Sequence, residues 1–201
     1  MLKNKVLEKL TRTHIAVPVS IFLFYAIGLL IWTNLYTDIS FYQVVSLFAA
    51  GLFLFTLVEY LMHRHLFHLF EKESPHPEWM PYKLHGLHHD YPKDKGRLAM
   101  PPIASITLAT LFFFLFKAVL NDYSYATLAG FITGYAMYLI VHYVVHVYQP
   151  PKNFLKSLWI NHAIHHYQDD TLMYGVSSPL WDYVFGTVPK KRARKDILVQ
   201  R

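Results

Sequence analysis

Long apolar stretches alternate with polar segments along the chain, and four of these stretches have the length of a membrane span. A helix that crosses a bilayer needs about 20 mostly apolar residues. The windows that meet this condition run approximately from Ile15 to Thr33, Phe41 to Met62, Ile103 to Leu120 and Tyr123 to Val145. The first is full length and has no obvious small-residue cleavage site, so we interpret it as a retained anchor. The pattern therefore predicts four transmembrane helices.

Two of the connections between these windows are very short, which predicts two antiparallel hairpins. Residues 34–40 join the first two windows and residues 121–122 join the last two, and neither connection contains Lys or Arg. The remaining polar segments must then lie together on the opposite side of the membrane. That side would carry all but one of the 19 Lys and Arg residues, the exception being Lys117. Because positively charged loops stay in the cytoplasm, this side is predicted to be cytosolic.

The cytosolic segments are predicted to form a helical cap over the ends of the spans. The positions of the prolines favour a short helix from about Pro81 to Asp90. Residues 153–167 have the pattern of an amphipathic helix. We therefore predict an all-α integral membrane protein with a single domain over residues 1–201. The cap comprises residues 63–102 and 149–189, and a basic tail follows at residues 190–201.

The composition agrees with a location in the membrane and excludes several kinds of metal-binding and covalent site. In a chain of 201 residues, 54% apolar and 17% aromatic content exceeds that of an ordinary soluble domain. The net charge of +6 comes from residues beside the spans and in the tail, so we assign it to anchoring and to membrane lipids, not to nucleic acid. The chain has no cysteine, which excludes disulfides and thiolate metal sites. A metal would therefore need histidine or carboxylate ligands.

Histidine is far more frequent than usual, with 13 in 201 residues. Most of these histidines are grouped in short motifs. In the HGLHH and NHAIHH motifs three histidines stand at positions i, i+3 and i+4, which lie on one face of a helix. The HYVVH motif, at the inner end of the fourth window, places two more at i and i+4. These motifs contribute His85, His88, His89, His142, His146, His162, His165 and His166. If they face one another, eight imidazoles surround a common centre.

A further cluster, HRHLFH, contains His63, His65 and His68. Helical geometry alone favours His65 with His68, since His63 and His68 point about 140° apart on an ideal helix. The outer pair could still ligate one centre if the helix ends or bends between them. Periodicity therefore leaves this cluster open.

The number of histidines indicates a dimetal centre. Imidazole binds zinc, copper, iron and nickel, and eight to ten imidazoles exceed the three or four ligands of a single zinc site. A centre beside apolar helices suits oxidation of a lipid methylene, whose strong C–H bond needs an iron–oxygen oxidant. We therefore expect two irons, for which zinc can substitute in a purified sample. A membrane metal transporter is the non-enzyme alternative, but its ligands should line a path through the bilayer, whereas these motifs lie at one face.

The four motifs, in their order, resemble the fatty acid hydroxylase and sterol desaturase superfamily, and within it the fatty acid 2-hydroxylases. The similarity covers about Glu59 to Pro189 and consists of EYLMHRHLFH, HGLHHDYPKDKGRLAMPP, HYVVH and NHAIHHYQDDTLMYGVSSPLWDYVFGT. The GRLAMPP and WDYVFGT segments favour this branch over sterol oxidases. The resemblance implies ligands at both ends of HxxxxH, which selects His63 and His68 in addition to the eight histidines above. The histidines left over, as surface or hydrogen-bonding residues, are His14, His65 and His76.

The resemblance also implies an activity, which is insertion of one oxygen atom from O2 at carbon 2 of a fatty acyl chain, free or in a sphingolipid. This family uses two irons and external electrons. The chain carries no cytochrome b5 domain, so a separate cytochrome b5-like or ferredoxin-like donor is expected on the basic cytosolic face. The alternative within the superfamily is hydroxylation or desaturation of a sterol or a carotenoid. A bacterial inner membrane and an endoplasmic reticulum are both compatible with these features.

Three polar side chains near the motifs are candidates for orienting the ligands. Glu59 precedes His63 by about one helical turn, within a span where an ionisable group is costly, and its carboxylate is expected to reach the second nitrogen of that histidine. Asp182, in WDYVFGT, and Tyr138, one turn before His142, are the other two. The acyl chain is expected to lie between the spans, lined by Phe and Leu of the second and third, with its carboxyl end near the cap.

Overall fold

The chain folds into helices throughout the part that the structure describes. The structure, a computed structural model, describes residues 12–68 and 86–190 and contains no strand in those ranges. The helices are α1 (Ala16–Tyr36), α2 (Phe41–Leu61), α3 (Leu87–Asp90), α4 (Pro102–Leu120), α5 (Tyr123–Val147), α6 (Lys156–Tyr167) and α7 (Leu180–Phe185). A π-helical turn, Met62–Phe67, continues α2, and a 3-10 turn, Lys95–Arg97, precedes α4.

Each of the four predicted spans corresponds to a long helix, and the second helix continues past its predicted end. Helices α1, α2 with its π-helical turn, α4 and α5 are long and apolar enough to cross a membrane, so the chain is a multi-pass membrane protein. The second span is longer than predicted because helical structure continues from Leu61 through Phe67. The predicted boundary between the second span and the cap, at residue 63, thus falls within a continuous helical segment.

Helix α5 is the centre of the bundle. Half of its apolar window is buried, against 17–28% for the other three spans, and it packs against α1, α2 and α4. Glycines bring α2 and α5 into backbone contact. A methyl group on Gly51 would lie 1.9 Å from the Thr127 carbonyl oxygen, and one on Gly130 would lie 1.9 Å from that of Phe48. Such small residues let membrane helices approach closely enough for extensive van der Waals contact.

Several polar side chains within the spans find partners inside the protein, as hydrocarbon surroundings require. The hydroxyls of Thr33, Thr107 and Thr133 donate to the carbonyl four residues earlier on their own helices, at 2.7–2.9 Å. Lys117 contacts Asp122 at 2.7 Å and the Tyr125 hydroxyl at 3.2 Å. Its positive charge is therefore paired beside the turn that joins α4 to α5.

The hairpin turns and the cap lie at opposite ends of the bundle. Residues 37–40 join α1 to α2, and residues 121–122 join α4 to α5, at one end. The 3-10 turn, α3, α6 and α7 lie at the other. The start of α1 is tied to this cap end, since the Thr13 amide donates to the Gly96 carbonyl at 2.8 Å. The two-hairpin arrangement predicted from the loop lengths is therefore confirmed.

One of the two predicted cap helices is shorter than the sequence predicts. The helix predicted over residues 153–167 begins at Lys156, because the Asn153 side chain accepts the Leu155 amide at 3.1 Å and shapes a turn before the helix. Of the helix predicted from about residue 81 to residue 90, only the end is described, and α3 lies there. Each of these helices carries a histidine motif.

Replacing Gly130 by alanine should destabilise the bundle, because the added methyl group meets the Phe48 backbone and forces α2 and α5 apart. Overpacking of this kind costs about 1–3 kcal/mol, so the thermal unfolding midpoint of the purified protein in detergent should fall by several degrees. The matched control is Gly28→Ala on α1, where nothing lies within 4 Å of the added methyl group and the midpoint should not fall. Equal midpoints for the two variants would contradict the close crossing.

Candidate metal centre

Nine histidines converge where the spans meet the cap. They form two groups, and within each group every residue offers one ring nitrogen that lies within 4.8 Å of the others. The first group comprises His88, His142, His146, His162 and His166, and the second comprises His63, His68, His89 and His165. The structure thus brings together nine of the ten histidines predicted as ligands. The tenth, His85, lies outside the described residues.

The first group combines residues from α3, the inner end of α5 and α6. The Nε2 atom of His88 lies 3.0 Å from that of His142 and 3.1 Å from that of His166. The Nε2 atoms of His146 and His162 lie 2.6 Å apart. Spacings of three and four residues put these rings on one face of each helix, as the motifs predict. Five imidazoles therefore direct nitrogens toward one small volume.

The second group combines the π-helical turn with α3 and α6. The Nε2 atoms of His68 and His165 lie 3.1 Å apart, and the ring of His63 lies 4.5 Å from that of His165 between centroids. The two groups adjoin, because the ring of His89 stacks on that of His166 with centroids 4.2 Å apart. Since α3 and α6 each contribute to both groups, the groups form one bipartite centre.

The π-helical turn explains how His63 and His68 can face the same centre. In a π-helix the hydrogen bonds join residues i and i+5, so residues five apart lie about one turn apart. The two histidines are 4% and 3% exposed, with ring centroids 5.1 Å apart. His65, which α-helical geometry favours, is exposed and belongs to neither group. The wider turn therefore buries the pair that the family resemblance implies.

Backbone carbonyls determine which ring nitrogen of three histidines faces the centre. A carbonyl only accepts, so an Nδ1 within hydrogen-bonding distance of it must carry the proton, and the Nε2 of that neutral ring keeps its lone pair. The three contacts run from His63 to Tyr174 at 2.6 Å, from His142 to Leu98 at 2.9 Å and from His165 to Leu172 at 2.8 Å. Three Nε2 atoms are thereby held in the orientation that a ligand needs.

The imidazoles contributed by the cap are held in their neutral form. Burial, assisted by neighbouring imidazoles, lowers the pKa of His88 and of His162 well below the usual histidine value. Burial also lowers the pKa of His165 to about 4. At neutral pH these rings are uncharged. Because a metal ion binds the neutral imidazole, no proton has to leave them before binding.

The donor set fits metal ions. Lone pairs on neighbouring nitrogens repel each other at close range unless a cation or a proton lies between them. Two nitrogens that each lie about 2.1 Å from one ion, at a right angle, are about 3 Å apart. This agrees with the 3.0 Å separation between His88 and His142 and the 3.1 Å separation between His68 and His165. Each group could therefore hold a transition-metal ion of the kind that imidazole prefers.

Residues 172–177 form a loop that presents two of the orienting carbonyls, and Asp182 holds one side of it. The Asp182 carboxylate accepts the amides of Tyr174 at 2.8 Å and Gly175 at 2.9 Å, together with the Thr187 hydroxyl at 2.7 Å. Burial raises the pKa of Asp182, and these three hydrogen bonds to its ionised form oppose the rise. Asp182 therefore acts on the centre by fixing the loop.

Glu59 holds the other side of the same loop. Its carboxylate accepts the amides of Val176 at 2.8 Å and Ser177 at 2.9 Å, and also the Ser177 hydroxyl. The direct contact that the sequence predicts between Glu59 and His63 is replaced by an indirect one, because the Nδ1 of His63 donates to the Tyr174 carbonyl. The glutamate therefore positions the acceptor of His63 instead of serving as that acceptor.

Tyr138 also contacts a histidine differently from the sequence prediction. Its ring stacks on that of His142, with centroids 5.5 Å apart and planes 8° apart. The Nδ1 of His142 is bound by the Leu98 carbonyl. Tyr138 therefore constrains the tilt of the imidazole, while the carbonyl fixes its tautomer. Of the histidines expected to lie elsewhere, His14 is exposed at the start of α1, and His76 is outside the described residues.

A cavity of about 100 Å³ extends from the histidines into the bundle. His63 of the second group lines it, together with His88 and His142 of the first. The apolar part of the lining includes Phe22, Phe55, Leu108, Phe112, Phe131 and Ile132. The predicted lining, from the second and third spans, is therefore too narrow, since α1 and the central α5 also contribute. An apolar cavity with polar groups at one end suits a ligand of the same polarity.

Reasoning from sequence misses the backbone part of this site. The carbonyls of Leu98, Leu172 and Tyr174 orient ligands, yet a backbone carbonyl carries no residue-type signal. Arg97, which lines the cavity, is also missed. Its charge beside an apolar segment in GRLAMPP is the signal that could have identified it.

Comparison with known proteins links this arrangement to one family. The model of the family described as fatty acid hydroxylase matches residues 48–187. The chain is 43% identical, over 154 residues, to the ceramide very long chain fatty acid hydroxylase scs7 of Schizosaccharomyces pombe, covering 75% of this chain and 44% of that protein. It is 36% identical, over 152 residues, to the dihydroceramide fatty acyl 2-hydroxylase FAH1 of Arabidopsis thaliana, covering 75% of this chain and 64% of that protein. The chain thus spans less than two thirds of these relatives.

A solved structure has the same fold. It is described as full-length scs7p with only the hydroxylase domain visible. The two structures superpose with a TM-score of 0.80 at 34% identity, and the match covers 94% of this chain and 72% of the other. The bundle and the cap therefore follow an arrangement already seen by experiment.

Replacing Asp182 by asparagine should destabilise the folded protein by about 1–3 kcal/mol. The asparagine side chain keeps only one acceptor oxygen in place of the two carboxylate oxygens. Its NH2 group would therefore face a buried N–H or O–H donor, from the loop or from Thr187, that loses its acceptor. The expected result is a lower thermal unfolding midpoint in detergent. Asp38→Asn, at an exposed acid in the first hairpin turn, is the control and should leave the midpoint unchanged. A similarly small effect at both positions would mean that Asp182 does not hold the loop.

Proposed function

The chain belongs to the fatty acid hydroxylase family, and from this membership we propose that it inserts one oxygen atom from O2 at carbon 2 of a fatty acyl chain. The substrate is a free fatty acid or the acyl part of a ceramide-like sphingolipid. Two of its relatives are a ceramide very long chain fatty acid hydroxylase and a dihydroceramide fatty acyl 2-hydroxylase, which supports this substrate class. The protein would then be a lipid monooxygenase.

The observation that carries the proposal is the cavity that connects the apolar interior of the bundle with both histidine groups. An acyl chain is apolar along its length and polar only at its carbonyl end. Such a chain gains stability by leaving water for the lining that the four spans provide, at about 0.8 kcal/mol for each buried CH2 group. Its carbonyl end, and the carbon next to it, would then lie beside the histidines.

The proposed ligands of two iron ions are the nine histidines of the two groups and His85, which completes the second histidine motif. All supply imidazole, a ligand that iron accepts. When bound, the irons would activate O2 so that one C–H bond becomes C–O–H and the second oxygen atom leaves as water, with two electrons and two protons consumed. Zinc could occupy the same groups in a purified sample.

The residues of the chain would contribute placement and exclusion of water. The carbonyls of Leu98, Leu172 and Tyr174 hold three rings with Nε2 directed inward. Glu59 and Asp182 keep the loop that carries two of these carbonyls in place. The apolar lining keeps bulk water away from the reacting carbon, so that one position of the chain is held beside the centre.

The proposed orientation places the cap in the cytosol, in either a bacterial inner membrane or an endoplasmic reticulum, because the Lys and Arg residues accumulate on the cap side. Two electrons per turnover must then arrive from the cytosol. We assign them to a separate donor of the cytochrome b5 or ferredoxin type, which would dock on the basic face of the cap. The single-domain organisation over residues 1–201 belongs to the same proposal.

Metal content tests the proposed ligands directly. Protein purified from iron-supplemented cells should contain about two metal ions per chain, and His142→Ala or His165→Ala should reduce this to about one or fewer, since each removes a ligand of one group. His65→Ala is the matched control, because this histidine belongs to the HRHLFH motif but is exposed. Its metal content should equal that of the unchanged protein. Full metal content in both ligand variants would exclude the proposed ligand set.

Lipid mass spectrometry tests the reaction. Cells that express the unchanged chain should accumulate acyl species heavier by one oxygen atom, with fragmentation that places the hydroxyl at carbon 2. The His165→Ala variant should abolish these species, and His65→Ala should retain them. Loss of two hydrogens instead of gain of oxygen would indicate a desaturase. If the added oxygen atom were found on a sterol or a carotenoid instead, the chain would carry out the alternative reaction of the superfamily.

A further inference from the structure

Helix α7, which belongs to the cap, has an apolar outer face. Leu180, Tyr183, Val184 and Phe185 are 43–61% exposed, although all four are large apolar or aromatic side chains. The charged residue of this helix, Asp182, points the other way and is fully buried. Contiguous apolar side chains on the surface of a protein mark a face that another apolar body covers.

Helix α7 lies along the side of α2. The Nε1 of Trp181 donates to the Thr56 hydroxyl at 2.9 Å, and the Trp181 ring lies 5.6 Å from the Phe53 ring between centroids. Near the other end of α7, the ring of Phe185 stacks on that of Tyr60, with centroids 5.1 Å apart. The start of α7 therefore lies beside residues of α2 that are farther from the histidines, and its end lies beside residues that are closer to them.

The part of α2 that contacts α7 belongs to the membrane span. The hydrocarbon core of a bilayer is about 30 Å thick, and a helix rises about 1.5 Å per residue, so a core that begins at Phe41 extends to about Tyr60. Phe53 would then lie about 10 Å inside this boundary. Its side chain is 55% exposed, as expected for a residue that faces lipid. The exposed face of α7 is thus continuous with the lipid-facing side of α2.

We infer that α7 is inserted into the membrane and that the apolar side chains of its outer face contact the acyl chains of the leaflet on the cap side. Helices that lie in this region bury their apolar face about 5–10 Å below the headgroups, a depth that matches the level of Thr56 and Phe53. Trp and Tyr are typical of the same region, and α7 contributes Trp181 and Tyr183. The inference concerns a lipid-binding surface and does not depend on the proposed reaction.

The inserted helix would connect the lipid leaflet to the metal centre. Asp182 lies on the inner face of α7 and accepts the amides of Tyr174 and Gly175. The Tyr174 carbonyl, in turn, accepts the Nδ1 proton of His63. Lipid on one face of a short helix therefore stabilises the position of a loop that the other face holds.

Single-cysteine labelling tests the insertion, since the chain has no cysteine of its own. A polarity-sensitive fluorophore is attached at Val184→Cys, and the full chain is reconstituted in phosphatidylcholine nanodiscs at one chain per disc. Quenching by a nitroxide on the lipid acyl chain is compared with quenching by iodide in water. Phe24→Cys, at an exposed position on α1, is the control for lipid, and Gln168→Cys, next to the exposed acids Asp169 and Asp170, is the control for water.

The fluorophore at position 184 should behave like the one at position 24. Quenching by the lipid nitroxide should exceed that of the Gln168→Cys sample severalfold, and quenching by iodide should be correspondingly weaker. Iodide quenching equal to that of Gln168→Cys would overturn the inference. Protection from both quenchers would also overturn it, because protein would then cover the face instead of lipid. A second copy cannot do so with one chain per disc.

A depth comparison checks the direction of α7. A fluorophore at Leu180→Cys should be quenched more strongly by a nitroxide near the end of the acyl chain than a fluorophore at Val184→Cys, because Trp181 lies beside Phe53 whereas Phe185 lies beside Tyr60. The reverse order, or equal quenching at the two positions, would contradict the placement of α7 along α2.

A charge on the outer face should destabilise the protein in a bilayer. Val184→Asp puts a carboxylate among acyl chains on a side chain too short to reach the headgroups, so the thermal unfolding midpoint in nanodiscs should fall by several degrees. Gln168→Asp is the matched control, and its midpoint should stay unchanged. Equal midpoints for the two variants would overturn the inference. If Val184→Asp does not fold, the quenching of Val184→Cys and Leu180→Cys decides the matter.

Discussion

The hydrogen bond from a histidine Nδ1 to a backbone carbonyl is the interaction on which the rest of this structure depends. An imidazole can serve as a ligand only if the nitrogen facing the centre is free of its proton, and a carbonyl on the other nitrogen ensures this. The carbonyls must then be held in fixed positions. Two buried carboxylates, Glu59 and Asp182, perform this for the loop over residues 172–177. The cost of burying these acids is offset because backbone amides and hydroxyls satisfy their oxygens.

Helix α5 connects this chemistry to the membrane. Its outer half crosses α2 at Gly130, close enough for backbone contact, and its inner end carries His142 and His146. The same helix lines the cavity with Phe131 and Ile132. A shift of α5 would therefore change helix packing, cavity shape and ligand position together. This explains why half of its apolar window is buried although the other spans are mostly exposed.

Sequence patterns predict those parts of the fold that depend on side-chain type and spacing. The spans follow from apolar length, and the triplets in HGLHH and NHAIHH follow from helical periodicity. The pair His63 and His68 required a resemblance to known proteins, because the π-helical turn that aligns them has no periodic signature. The partners of Glu59 could not be predicted, since they are amides more than 100 residues away. The sequence gives a weaker indication that α5 is the central helix. Gly130 and Gly134 are small residues spaced four apart, a pattern typical of closely packed membrane helices.

The π-helical turn has a consequence for how the bundle and the cap are kept in phase. A π-helical turn contains one residue more than the α-helical turn it replaces, so it is equivalent to a single-residue insertion in α2. Removing one of the residues between His63 and His68 would restore an ordinary α-helical repeat. In both arrangements the two histidines share a face of the helix, so the chain after His68 would leave the helix in nearly the same direction about its axis. The π-helical turn thus absorbs one additional residue of the motif and keeps the membrane bundle and the cap in phase.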